Sequence, residues 1–194
     1  MEQVSNFKYL GTMVSDDGRC LNEIKCRIGM AKEAFGQRKE LLTGKLNLTL
    51  KMKIIQTVVW PVLLYGCETW TLRKEEKRRL EAVEMWIWRK VAKVNWTEKK
   101  TNDEVLTMVG TKRILIENIV RRKKNGIGHI LRGKWLMLEI MEGRMEGKRG
   151  RGRRLGMLDE LMDEISYENM KRKAQNRAEW RDWLPWTCRK AEHE

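Results

Sequence analysis

The residue types that could carry chemistry here are few, and their spacing decides what they can do. Cys20, Cys26, Cys67 and Cys188 are scattered, and the only histidines are His129 and His193. A structural zinc needs four thiolate or imidazole ligands at close, repeated spacing. No such set exists, so neither a metal nor another cofactor is expected. A Ser- or Cys-based hydrolase would have only His129 or His193 as its base. His129 sits in GHILR beside an apolar face, where histidine more often packs or hydrogen-bonds. Two-metal phosphoryl transfer needs converging carboxylates. Asp16 and Asp17 are adjacent but belong to a turn, where Asp is favoured for local hydrogen bonding. Asp159, Glu160, Asp163 and Glu164 repeat at i and i+4 and read as the solvated face of a helix. Walker-type and dinucleotide-binding loops are absent.

What the sequence has in excess is cationic side chains. The 194 residues carry a formal charge of +14. Between Lys112 and Arg154 the net is +10, against +6 before that stretch and −2 after it. Such a concentration is the footprint of a phosphate binder. Arg121, Arg122, Lys123, Lys124 and Arg132 form one group of candidate contacts. Lys148, Arg149, Arg151, Arg153 and Arg154, within GKRGRGRR, form a second. The second group could also serve as a nuclear address. The longest apolar stretch, Val58 to Cys67, is far shorter than the about 20 residues a membrane helix needs, so no membrane contact is expected. With no signal-peptide pattern and unpaired cysteines, the chain is expected inside the cell, nuclear or cytoplasmic.

These side chains must be positioned by a mainly α fold: a small N-terminal β-hairpin, a helical bundle, and a basic helical C-terminal region. FKYLGTMVSDDGRC reads as the hairpin, with Phe7, Tyr9, Leu10, Met13 and Val14 in strands and Asp17-Gly18 as the turn signal. A helix is predicted from about Asn22 to Leu42, with Ile24, Ile28, Ala31 and Phe35 on one face. A second begins near Thr49 and should break or kink at Pro61. A third runs from about Lys74 to Val94 on a stripe of Leu80, Val83, Ile87, Val91 and Val94, with Arg78 and Arg89 opposite and Trp86 and Trp88 flanking. A short helix capped by Asn102 should end at Gly110. Residues 112–131 read as a fifth helix, weakened by Gly126 and Gly128. A Gly/Arg-rich loop over 143–156 follows, then helices near 157–165 and 167–184, the latter capped by Ser166. Trp60 and Trp70 are expected in the core, while Trp86 or Trp88 could stack on a base.

Several segments, in order, resemble the C-terminal part of non-LTR (LINE-type, RTE-like) retrotransposon reverse transcriptases. They are FKYLGTMVSDDG (7–18), EIKCRIGMAKEAF (23–35), VVWPVLLYGCETWTL (58–72), GHILR (128–132), GKRGRGRR (147–154) and RAEWRDWLPWTCRKAEH (177–193). The resemblance covers nearly the whole chain, and its specificity lies in the joint order. It implies a primer-grip-like hairpin over 1–20, with Phe7, Tyr9, Leu10 and Gly11 at the grip. It further implies a thumb-like bundle over 21–111, a basic region over 112–184 and a tail over 185–194. The partners it implies are RNA or DNA, held by the phosphate backbone, and a separate or upstream catalytic palm. That palm, with its YADD-type aspartates, would precede residue 1, as would the family's endonuclease. The chain is therefore expected to be no enzyme by itself. Many relatives read GRP where this chain has GRR, which leaves its basic run less stiff. The rival expectations are a catalytic subunit completed by another chain, and a helical protein-interaction adaptor or non-functional retroelement remnant.

Overall fold

A computed structural model describes residues 4–16, 18–133, 136–143, 156, 158, 161–162 and 165–183, with Trp96 described by its main chain. The described residues are mainly helical, preceded by a two-stranded antiparallel hairpin. The chain divides into two compact units. The first comprises Met1–Gly66 and Leu72–Ile116, and the second Cys67–Thr71 and Glu117–Glu194.

In the first unit, β1 (Asn6–Tyr9) pairs with β2 (Thr12–Ser15), Phe7 opposite Val14 and Tyr9 opposite Thr12. The reversal is Leu10-Gly11, with φ of 46° and 82°. Two successive positive-φ residues make the turn whose twist matches a two-residue hairpin. A leucine in that region costs roughly 1–2 kcal/mol. This corrects the turn expected at Asp17-Gly18 and moves Leu10 out of the strand. Gly18 does have φ 63°, and its N–H bonds to Ser15 O at 3.1 Å, but it links β2 to the first helix. The Leu10 turn is held from outside by its own carbonyls. Tyr65 Oη donates to Leu10 O at 3.1 Å, and Arg27 Nη2 donates to Gly11 O at 2.5 Å.

Arg27 belongs to α1 (Leu21–Gly36), as does Glu23, and both are buried. Glu23 accepts from Arg27 Nε at 2.6 Å and from Met13 N at 2.5 Å. Two charges out of water are tolerated when each is paired and hydrogen-bonded; here the pair also staples the hairpin to α1. The helix predicted to run to Leu42 is two: α1 stops at Gly36, and α2 covers Lys39–Thr43.

Pro61 does not break the next helix. α3 (Leu48–Ile54) passes through one π-helical turn, Ile55–Val59, into α4 (Trp60–Leu63). Trp60 N–H reaches Ile55 O, five residues back. The wider turn makes room for the proline ring and faces both Ile55 and Val59 into the core, each fully buried.

α5 (Lys74–Val91) presents Leu80, Val83, Ile87 and Val91 to the core as the periodicity predicts, but ends before Val94. Its Trp88 is 1% exposed and packs edge-on to Trp60 at 6.1 Å. That removes Trp88 as a base-stacking surface. Trp86 is half-buried, edge-on to Phe35 at 5.3 Å. α6 (Asn102–Val109) is capped by Thr101, one residue before the expected Asn102, in a reciprocal box with Glu104. Gly110 ends it at φ 65°.

The second unit is built on α7 (Leu115–Arg132), most of which lies there, with α8 (Leu136–Glu142), α9 (Tyr167–Gln175) and α10 (Arg177–Asp182). α8 escaped the sequence reading. The single helix expected over 167–184 is two, because Asn176 leaves the helical region and caps α10. Ile119, Ile127, Leu131, Met170, Ala174 and Trp180 form the core. Trp60 and Trp70 are core residues, at 3% and 1% exposure.

Candidate nucleic-acid interface

The cationic surface of the second unit is set by how closely α10 lies on α7. A Cβ built on Gly128 would fall 2.2 Å from Trp180 Nε1 and 2.6 Å from its Cε2. Only a residue without a side chain lets the indole seat there, so the glycine that weakens α7 as an isolated helix is what packs it. Trp180 is 4% exposed, and its ring lies 4.9 Å from that of Trp183.

Lys124 completes the joint. Its ammonium donates to Trp183 O at 2.5 Å and Arg181 O at 3.2 Å, so it caps the C-terminal end of α10. It also lies 5.9 and 6.0 Å from the Trp180 and Trp183 ring centres. Further along, Arg132 Nη1 donates to Ala174 O at 3.1 Å, and Gln175 Nε2 donates to Leu131 O at 2.9 Å. These bonds fasten the last turn of α9 to that of α7. Asn176 Oδ1 accepts from Ala178 N and Glu179 N, which starts α10 at a fixed angle.

A cleft of ≈ 660 Å³ results. α7 lines it with Arg121, Asn125, His129 and Arg132, at i, i+4, i+8 and i+11, a run of about 16 Å along the axis. α10 lines it with Arg177 and Arg181, again one turn apart, around Trp180. Lys124 also borders it, and among the described residues no carboxylate does. Glu117 pairs with Arg121, and Glu179 takes Lys173 at 2.9 Å. Arg177 and Arg181 are exposed and make no ion pair among the described residues. Four guanidiniums around one concavity can bind phosphates through paired N–H donors.

Of the residues singled out from sequence, Arg121 and Arg132 line this cleft and Arg122 is half-buried beside it in sequence. Lys123 and Lys124 are corrected: they are 1% and 3% exposed. Lys123 Nζ donates to Trp70 O at 2.5 Å. Both ammoniums thus serve main-chain carbonyls inside the unit. A run of four basic residues on a helix cannot all face one way, and the 3.6 period turns two of them inward. Lys148, Arg149, Arg151, Arg153 and Arg154 lie outside the described residues, as do Asp159, Glu160, Asp163, Glu164, Cys188 and His193. Arg177 and Arg181 were missed. Their signal was an i, i+4 arginine pair bracketing Trp180.

In the first unit, Phe7, Tyr9 and Leu10 are 59%, 61% and 76% exposed, with the Phe7 and Tyr9 rings 6.5 Å apart. Among the described residues no group of three or more His, Cys, Asp or Glu comes together. Burial pushes the Cys67 thiol up to about 12, with Glu68 adding to the shift. It is therefore a protonated core residue and not a nucleophile. No helix of the described residues is long and apolar enough to cross a membrane.

Fold and site together define a mainly helical protein with an arginine-lined cleft. The chain is similar to an uncharacterized transposon-derived protein of Caenorhabditis elegans, 24% identical over 144 residues. That match covers 71% of this chain and 52% of the relative, so the chain spans about half the relative's length. No protein-family model matches. No solved structure matches either.

Proposed function

We propose that this chain is a nucleic-acid-binding piece of a retrotransposon reverse transcriptase of the non-LTR, LINE type. It holds RNA or DNA through the phosphate backbone and performs no polymerisation by itself. The arginine-lined cleft of the second unit is the observation that carries this reading. Two helices aim guanidiniums into one concavity that no acid among the described residues borders. The likeness to a transposon-derived protein supports a mobile-element origin. The ordered motifs from FKYLGT to RAEWRDW support the finer assignment to the region following a catalytic palm, with the helices of 21–111 as a thumb.

Binding of this kind releases counterions, so the affinity should fall steeply and linearly on a logarithmic salt axis. Filter binding of a mixed-sequence oligonucleotide over a salt series tests it. Absence of binding at low salt, or a flat salt response, would remove the function. Primer extension with magnesium or manganese tests the second half of the reading, and nucleotide incorporation by this chain alone would overturn it.

The second reading is a protein-interaction adaptor. The uncovered face of the hairpin, with Phe7, Tyr9 and Val14 all more than half exposed, favours it. A concentration-independent monomer in size-exclusion chromatography would count against self-association through that face.

A further inference from the structure

We infer that the α7–α10 cleft is a binding site for a single nucleic-acid strand, with Arg177 and Arg181 of α10 as its principal phosphate contacts. This deepens the nucleic-acid reading and rests on it. The argument begins with shape. A duplex offers a convex, regular surface, so it could touch only the rim of a ≈ 660 Å³ hollow. That volume lies in the range that encloses a small organic ligand. An unpaired strand can turn individual phosphates and bases into it.

Charge and hydrogen bonding point the same way. Arg177 and Arg181 stand one turn apart on a helix whose other neighbours are fixed. Arg121 and Arg132 mark the two ends of the opposite wall. Between them, Asn125 and His129 line the same wall. The main chain of both walls is held in place. Asn176 fixes the start of α10, Lys124 fixes its end, and the Gly128–Trp180 contact fixes its distance from α7. With the main chain fixed, only the arginine side chains remain to be ordered when the strand arrives.

Lys124 is a positioning residue in this scheme. Its ammonium is turned to the Arg181 and Trp183 carbonyls, where it holds the Arg181 main chain in place. The short cationic run of α7 is thereby divided between a structural pin and a ligand wall.

The experiment uses the full chain. Fluorescence anisotropy is read with a labelled twelve-nucleotide single strand, as RNA and as DNA, and with the matching duplex, over a salt series. The single strands should bind more tightly than the duplex. With four phosphates neutralised the logarithmic salt slope should be about −3. R177Q/R181Q should bind single strand about tenfold more weakly, with a slope shallower by about 1.4. N125D, which places a carboxylate between the walls, should weaken binding in the same direction. Circular dichroism melts confirm that each variant folds, which these exposed positions allow. A third variant neutralises Lys148, Arg149, Arg151, Arg153 and Arg154 together and should keep the single-strand preference. If the wild type binds with a steep salt slope but R177Q/R181Q and N125D match it, the cleft proposal is overturned and the broader reading stands. Equal affinity for duplex has the same consequence. No binding of either form at low salt overturns both.

Discussion

α5 and α7 are both 18 residues long and rich in charge, yet they bury opposite signs. α5 buries Glu76 and Glu84 at 4% and 1% exposure and turns Arg78 and Arg79 outward. Its buried carboxylates serve main-chain N–H groups. Glu76 accepts from Arg73 N at 3.0 Å, and Glu84 Oε1 accepts from Ile114 N and Leu115 N at 3.0 and 3.2 Å. α7 buries Lys123 and Lys124 instead, and they serve carbonyls. In each case a charged side chain left the surface to satisfy main-chain groups at a helix end or in a loop. The difference teaches how to read a basic cluster. Its formal charge overstates what a ligand meets, because part of it is internal capping.

Removing a capping ammonium should be the most costly test of that contrast. Lys123→Ala leaves the Trp70 carbonyl without its donor and opens a cavity, so urea denaturation should show a loss of about 2–4 kcal/mol. An unchanged midpoint would mean the buried lysine is not structural. Gly128→Ala comes next. Its Cβ cannot share space with the Trp180 indole, and the overpacking should cost about 1–3 kcal/mol. It should also weaken oligonucleotide binding by displacing Arg177 and Arg181. Stability lost with binding intact would separate the packing from the cleft.

Glu84 sharpens the other side of the comparison through pH. Burial raises its pKa, and the Ile114 and Leu115 N–H groups offset that only in part. A carboxyl raised in the folded state holds its proton more tightly there than in the unfolded chain. Its contribution to stability is therefore fully present below the ordinary glutamate value and lost as pH rises through the raised one. Thermal melts between the two values should fall with pH in the wild type and fall less in Glu84→Gln. Parallel curves would remove Glu84 as the cause. The smallest effect is expected from Glu117→Gln. It frees Arg121 from its exposed ion pair, a contact worth about 0.2–1 kcal/mol, and should tighten strand binding up to severalfold in anisotropy.

Regular apolar periodicity was legible in the sequence. The stripe of α5 follows it, because a 3.6-residue repeat leaves little choice of inward face; of the four isoleucines it marks for burial in α7, Ile119 and Ile127 are buried and Ile116 and Ile130 are half-buried. Local backbone geometry was less so. Asp17-Gly18 carries the stronger turn signal, yet the strands reverse at Leu10-Gly11, because Tyr65 and Arg27 hold those two carbonyls from far along the chain. Pro61, which reads as a break or kink, lies in a continuous helix because the π turn before it widens the winding. Within the candidate interface, Arg121 and Arg132 could be named in advance because they belong to a visible basic cluster. Arg177 and Arg181 could not, since their segment has no excess charge and gains significance only where α10 meets Gly128. Lys123 and Lys124 failed in the opposite sense, as surface-type residues whose stems and ammoniums were needed inside.

The π-helical turn at Ile55–Val59 has a consequence for tolerance of length change. The wider winding takes up one extra residue, about 100° of sequence phase, and so keeps the helices before and after it aligned. Deleting a single exposed residue there should restore regular winding with Trp60 and Leu63 still in their buried seats. That short stretch should therefore tolerate the loss of one residue better than the regular windings on either side of it.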